Sequence, residues 1–180
     1  IRALLYLSPL TTALPTTPNP ASRPCTNALT NPSFETGAIA PWPPIVDSAW
    51  STRGVFTSPF THGGTHHYYA RATSTVASSL ALSQSGINTQ VGAEVDCYAW
   101  VAGRRSTGAT SVEVFLDGVS CGTGLLGAGE AGWRRVGSKV KVNGTGNGTG
   151  STVVVVASSE SAGDEGWEVW IDDVGVVGGC

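Results

Sequence analysis

Methionine is absent from this chain, and lysine nearly so, with Lys139 and Lys141 the only two. Ten basic residues spread over 180, against a net charge of -3, leave no basic face for nucleic acid. Strong helix formers are scarce, while Val, Thr, Ser and 24 glycines dominate, which argues against a helical protein and for an all-β one. No internal apolar run can span a membrane as a helix: the stretch 152–157 is only a strand's length. The motifs of common hydrolases are missing too, with neither a Gly-x-Ser-x-Gly elbow nor a His-Glu-x-x-His pair.

What is present fits one domain with a tail, since 41% apolar residues can build a real core. The apolar start reads as the remnant of a secretory signal over 1–14, with a small-residue cleavage region near 11–13. Residues 15–24, rich in Ser, Thr and Pro, read as a linker, and the folded domain is expected over 25–180. A secreted, extracellular and monomeric protein is expected. Four cysteines suit such a compartment and permit three pairings. Cys97 and Cys121 lie on expected neighbouring strands and Cys25 and Cys180 bracket the domain, so Cys97–Cys121 with Cys25–Cys180 is the chosen pairing. Two sequons, at Asn143 and Asn147, mark a Gly-rich loop suited to glycosylation.

Alternation of apolar and polar residues, bounded by Gly, Asn or Asp, predicts strands over 67–72, 76–82, 94–102, 110–116, 133–142, 152–157 and 167–177. Asp117-Gly118 predicts a tight hairpin into a further strand at 119–121. The Gly-rich loop at 143–150 has a spacing like a phosphate-binding turn, but a strand follows it rather than a helix, which excludes that reading.

Two acidic features stand out. Asp172 and Asp173 interrupt an apolar strand, and unpaired buried charge is costly; Glu35 sits in a turn near the other end of the chain. Oxygen ligands from distant segments suit a hard cation such as calcium. His62, His66 and His67 read instead as exposed residues of a Gly-rich turn, with no carboxylate beside them in sequence. Glu94 with Asp96, and Asp164 with Glu165, read as solvated positions rather than a catalytic pair. In strand 94–102, Cys97, Ala99 and Val101 form a core row; Asp96, Tyr98 and Trp100 share the other face, mixing polar and aromatic groups as a ligand-binding sheet does.

These phrases resemble a family. Asn31-Pro-Ser-Phe-Glu-Thr-Gly with Pro41-Trp42, then Thr61-His-Gly-Gly-Thr-His-His-Tyr-Tyr-Ala70, Ser79-Leu-Ala-Leu-Ser-Gln84, Tyr98-Ala-Trp-Val101 and Trp170-Ile-Asp-Asp-Val174 are similar, in order, to carbohydrate-binding modules of the C-type cellulase and xylanase group. The cysteines and the Val/Gly/Ser-rich style look similar to small secreted fungal proteins carrying this domain. The resemblance implies a β-sandwich jelly roll of galactose-binding-like type. It also implies structural calcium held by Glu35 and Asp172 with backbone oxygens from 62–66. The segment 72–79 departs from the pattern, having no aromatic where relatives that grip xylan or glucan place one.

The first reading is therefore a non-catalytic module that binds a polysaccharide or glycan. Trp100, Tyr98 and Tyr69 are the candidate stacking groups, and Arg71 and Arg104 the hydroxyl partners. A structural or protein-interaction sandwich without a sugar site comes second, and a glycoside-active enzyme third.

Overall fold

The computed structural model describes residues 26–47, 50–73, 77–130, 132–144, 150–160 and 165–178. Ten strands follow one another: β1 Pro44–Asp47, β2 Trp50–Thr57, β3 His66–Ala72, β4 Ser78–Ile87, β5 Glu94–Arg105, β6 Ala109–Leu116, β7 Val119–Gly127, β8 Arg134–Lys141, β9 Ser151–Ser159 and β10 Trp167–Gly178. No helix occurs among the described residues. The strands form two five-stranded antiparallel sheets, one ordered β1-β4-β9-β6-β7 and the other β2-β3-β10-β5-β8. This is the all-β sandwich the alternation predicts.

Period-two burial builds the core. Strand β9 alternates without a break, sending Val153, Val155 and Ala157 inward; β5 of the other sheet sends Val95, Cys97, Ala99 and Val101 inward. Leu80, Leu82, Val112, Val114, Val169 and Ile171 are also fully buried, or nearly so, in this interior. Each such side chain contributes about 1.5–3 kcal/mol by leaving water. Asp117 and Gly118 both adopt positive φ, 51° and 78°, as the tight turn between β6 and β7 requires.

Two strands, β1 and β2, were not expected. The first is four residues long and opens on Pro44, and the second carries Gly54 and is mostly solvent-facing, so neither alternates clearly. Cys97 and Cys121 are bonded, but not on neighbours in one sheet. Their strands β5 and β7 belong to opposite sheets, so the bridge staples the two layers through the core. The expected signal remnant, the linker, Cys25, Cys180, Asp164 and Asn147 lie outside the described residues; Asn143 is exposed.

The segment before β1 closes one end of the sandwich. Phe34 and Trp42 are completely buried, and Trp42 Nε1 donates to the Asn31 carbonyl at 3.0 Å. Gln84 holds Thr30 at both its backbone groups, at 2.8 Å each. That placement presents Glu35 to the loop between β2 and β3.

Candidate functional site

The outward face of the β2-β3-β10-β5-β8 sheet concentrates the chemistry. Strand register sets it out in rows. One row runs Gly54, Tyr69, Trp170, Ala102, and the next along the strands runs Thr52, Arg71, Glu168, Arg104. Phe56 lies opposite His67, and Trp100 lies opposite both Asp172 and Arg135. Gly54 and Ala102 flank the Tyr69–Trp170 pair in this row, and the Phe56 ring lies over Gly54.

The rings form an unbroken path. Phe56 meets Tyr69 edge-on at 5.4 Å, Tyr69 meets Trp170 at 5.4 Å, and Trp170 meets Phe60 at 5.3 Å. Phe60 stacks on Trp133 at 5.5 Å, Trp133 reaches His62 at 6.0 Å, and His62 stacks on Trp100 at 3.8 Å. Phe56 and Phe60 are 39% and 41% exposed, His62 is exposed as well, and Tyr69, Trp100, Trp133 and Trp170 are half-buried. Aromatic groups held by one another at such distances are fixed before any ligand arrives.

A charged cluster borders this path. Glu168, almost buried, accepts a hydrogen bond from the Tyr69 hydroxyl at 2.7 Å. Arg104 Nε stands 2.8 Å from the other Glu168 oxygen, and Arg71 Nε lies 4.0 Å from the first. Burial, then the Glu168 hydrogen bond and charge, push the Tyr69 phenol up to about 12, so it stays a donor at neutral pH.

Of the sequence-derived candidates, Tyr69, Arg71 and Arg104 thus come together, and Trp100 ends the ring path. Tyr98 shares the face but is occupied: the Arg135 guanidinium lies 4.0 Å over its ring, and Gly175 is pressed so closely against it that a Cβ there would sit 2.3 Å from a ring carbon. Arg135 in turn pairs with Asp96 at 2.5 Å. Sequence reasoning singled out neither Phe56, Phe60 nor Glu168. It gave Trp133 and Trp170 no part in the site; the strand alternation Trp167-Glu-Val-Trp170 carried the signal for the last.

The histidine cluster also differs from expectation. His67 is 2% exposed rather than solvated, and carboxylates do accompany the cluster in space. His62 Nδ1 lies 2.6 Å from Asp173, and His66 Nδ1 lies 3.5 Å from Glu35. Contact across a hundred residues is invisible to local sequence.

Glu35 and Asp172 converge on the same loop. Glu35 accepts hydrogen bonds from the Thr65 and His66 amides at 3.0 and 2.8 Å. Burial pushes its pKa up less than those donors pull it down, so the carboxyl sits below its ordinary pKa. Asp172, fully buried, takes the His62, Gly63 and Asp173 amides at 3.0, 3.2 and 2.8 Å. Glycine is required in this loop: a Cβ on Gly64 would lie 2.4 Å from the Glu35 carboxyl, and Gly64 holds φ +65°. Burial, helped by the Asp173 charge and only partly offset by the amides, raises Asp172 to about 6. No basic side chain pairs with it among the described residues. Asp172, two residues from the ring path, and Glu35 thus grip the same loop, each through backbone amides. Among the described residues no three acidic, His or Cys side chains gather for a hard cation, so backbone oxygens would have to complete the shell of one.

The fold class is shared with known structures. No protein-family model matches the chain, and no curated protein matches it in sequence. Among solved structures, it is similar to TmCBM61, a module seen in complex with β-1,4-galactotriose (TM-score 0.59, 21% identity, covering 83% of this chain and 97% of that one). A family 16 carbohydrate-binding module is similar at TM-score 0.54 and 14% identity, covering 82% and 97%. A Fischerella Stig cyclase with the same fold matches at TM-score 0.55 and 11% identity, covering 86% and 98%. At these identities the likeness is one of fold: a jelly-roll sandwich that carbohydrate-binding modules use and that enzymes use as well.

Proposed function

We propose that this protein is a secreted, non-catalytic carbohydrate-binding module that holds a polysaccharide on the ring path of the β2-β3-β10-β5-β8 sheet. The observation that carries the reading is the continuous run of braced, partly exposed rings from Phe56 to Trp100, bordered by Tyr69, Glu168, Arg71 and Arg104. Flat rings pack on the C–H faces of sugars, while the arginines and Glu168 reach hydroxyls at the edge. Tyr69 and Trp170 are the stacking groups; Tyr98, covered by Arg135, and Trp100, covered by His62, are left to the scaffold. The likeness to carbohydrate-binding modules supports the class.

Glu35 and Asp172 hold structural calcium, whose role is to fix the loop carrying Phe60 and His62 rather than to touch sugar. Non-catalytic action is supported by the carboxylates on β5, since Glu94 pairs with Lys139 at 3.2 Å and Asp96 with Arg135. The core disulfide supports an oxidising compartment.

One observation favours a second location. A groove of about 670 Å³ opens on the other sheet, lined by Ser79, Ser111, Ser158, Arg105, Leu125 and Glu160, with no aromatic ring. Affinity electrophoresis of the calcium-loaded protein against xylans, β-glucans, galactans, mannans and pectins tests the class. Retardation relieved by Trp170→Ala but not by Ser158→Arg supports the ring path, and the reverse places the sugar in the groove. No retardation by any polymer from folded protein refutes glycan binding and leaves a protein-interaction sandwich.

A further inference from the structure

We infer that the charged end of the ring path selects acidic polysaccharide, by seating the carboxylate of a uronic acid unit between Arg71 and Arg104. The inference rests on the glycan-binding reading and names its substrate class. A cavity of about 390 Å³ opens there, lined by Arg71, Arg104, Arg105, Ser106, Glu165 and Glu168. Three of the ten basic residues of a chain with net charge -3 meet in it.

The three arginines are not equivalent. Arg105 is committed to the fold, donating to the Thr107 carbonyl, to the Ala109 carbonyl at 2.8 Å, to Thr110 Oγ at 3.1 Å and to Ser159 Oγ at 2.7 Å. Arg71 and Arg104 are not. Arg104, 76% exposed, approaches Glu168 through Nε alone, without the alignment of a hydrogen bond. Arg71 has a buried Nε with no hydrogen-bond acceptor, and one long bond of 3.5 Å from Nη2 to the Glu165 carbonyl. Two guanidinium forks therefore face one nearly buried carboxylate, Glu168, which orients both and neutralises one.

A planar carboxylate is the natural complement of such a fork, which hydroxyl groups of a neutral sugar match poorly. Placement agrees. The Arg71–Glu168–Arg104 row lies two residues along the strands from the Tyr69–Trp170 row, ~6.6 Å, about one sugar ring with its C5 substituent. A uronate stacked on Trp170 or Tyr69 thus carries its carboxylate to the arginines. Glu165 opposes it, and its removal strengthens the effect.

The test uses one backbone with its charge masked or free: fully methyl-esterified and de-esterified homogalacturonan, titrated calorimetrically into the calcium-loaded protein. The expected result is ~tenfold tighter binding of the free acid, one charged bidentate contact's worth. Arg104→Gln abolishes the preference, so that this variant binds the free acid no more tightly than it binds the ester, and Glu165→Gln enlarges it. Equal affinity for the two polymers, or a preference that survives Arg104→Gln together with Arg71→Gln, overturns the inference while leaving glycan binding in place. Binding of neither polymer, nor of a glucuronoxylan set against its neutral xylan, overturns it as well; whether neutral polymers bind then decides the parent reading separately.

Discussion

Burial of Asp172 without a basic partner should make metal-free stability fall as pH rises. An unfolded aspartate titrates near 3.9, whereas folded Asp172 is held at about 6. The folded state therefore binds this proton more tightly, and the stability it confers is complete below about pH 4 and lost through about pH 6. The shift of roughly two units corresponds to about 3 kcal/mol at most, at about 1.4 kcal/mol per unit. For a domain of this size that is about 6–12 °C in Tm. Other carboxylates titrate over the same range, so the informative quantity is the wild-type profile minus that of Asp172→Asn, measured by thermal unfolding in chelator from pH 4 to 7. The difference should decline through that window and level off above it, whatever fixed offset the asparagine introduces. Millimolar calcium should restore the wild type most at pH 7 and leave the variant unmoved. Parallel wild-type and variant profiles in chelator would refute the reasoning, because the carboxyl would then be ionised in the fold at no cost. A parallel response of both proteins to calcium would remove Asp172 from the cation site.

Three further outcomes can be checked directly. Trp170→Ala should weaken polysaccharide binding about five- to thirtyfold, with calorimetry as the measure and a cooperative thermal transition as the control for folding, since one lost stacking contact is worth about 1–2 kcal/mol. Replacing Cys97 and Cys121 together with Ala should lower stability by about 3 kcal/mol, the entropy released by opening a loop of 24 residues, read from urea unfolding. Gly137→Ala should destabilise by more than about 2 kcal/mol, because Gly137 holds φ +128° and a Cβ there would lie 2.2 Å from the Cys97 carbonyl oxygen.

Strands whose two faces see different surroundings were legible in the sequence. Strand β9, with its unbroken run from Ser151 to Ser159, alternates in burial at every residue, and Asp117-Gly118 carries its turn in its side chains. Strand β2 is another matter: it lies at a sheet edge with most of its residues exposed, so no buried stripe imposes period two on it. The candidate site divides in the same way. The Asp96–Tyr98–Trp100 row could be read from one strand, and Tyr69, Arg71 and Arg104 from two. Phe60 and Trp133, by contrast, stand just outside strands and reach the face only because the loops fold back over it. Glu168, hidden in an apolar run, takes its meaning from partners on two distant strands, β3 and β5. Cys97 and Cys121 were paired rightly for the wrong geometry, since strands close in sequence can belong to facing sheets.

The pairing of Asn27 with Val177 sets how the domain bears mechanical load. Ala28 donates to the Val176 carbonyl at 2.9 Å, while the Asn27 side chain donates to the Val174 carbonyl at 2.7 Å and accepts from the Val176 amide at 3.1 Å. The two segments run antiparallel, so the backbone leaves Asn27 and Gly178 on the same side of the molecule. Tension applied at those two points peels these bonds apart one after another instead of shearing them in parallel. This corner of the sandwich yields first under force, with the ring path, the loop clamp and the core disulfide still intact behind it.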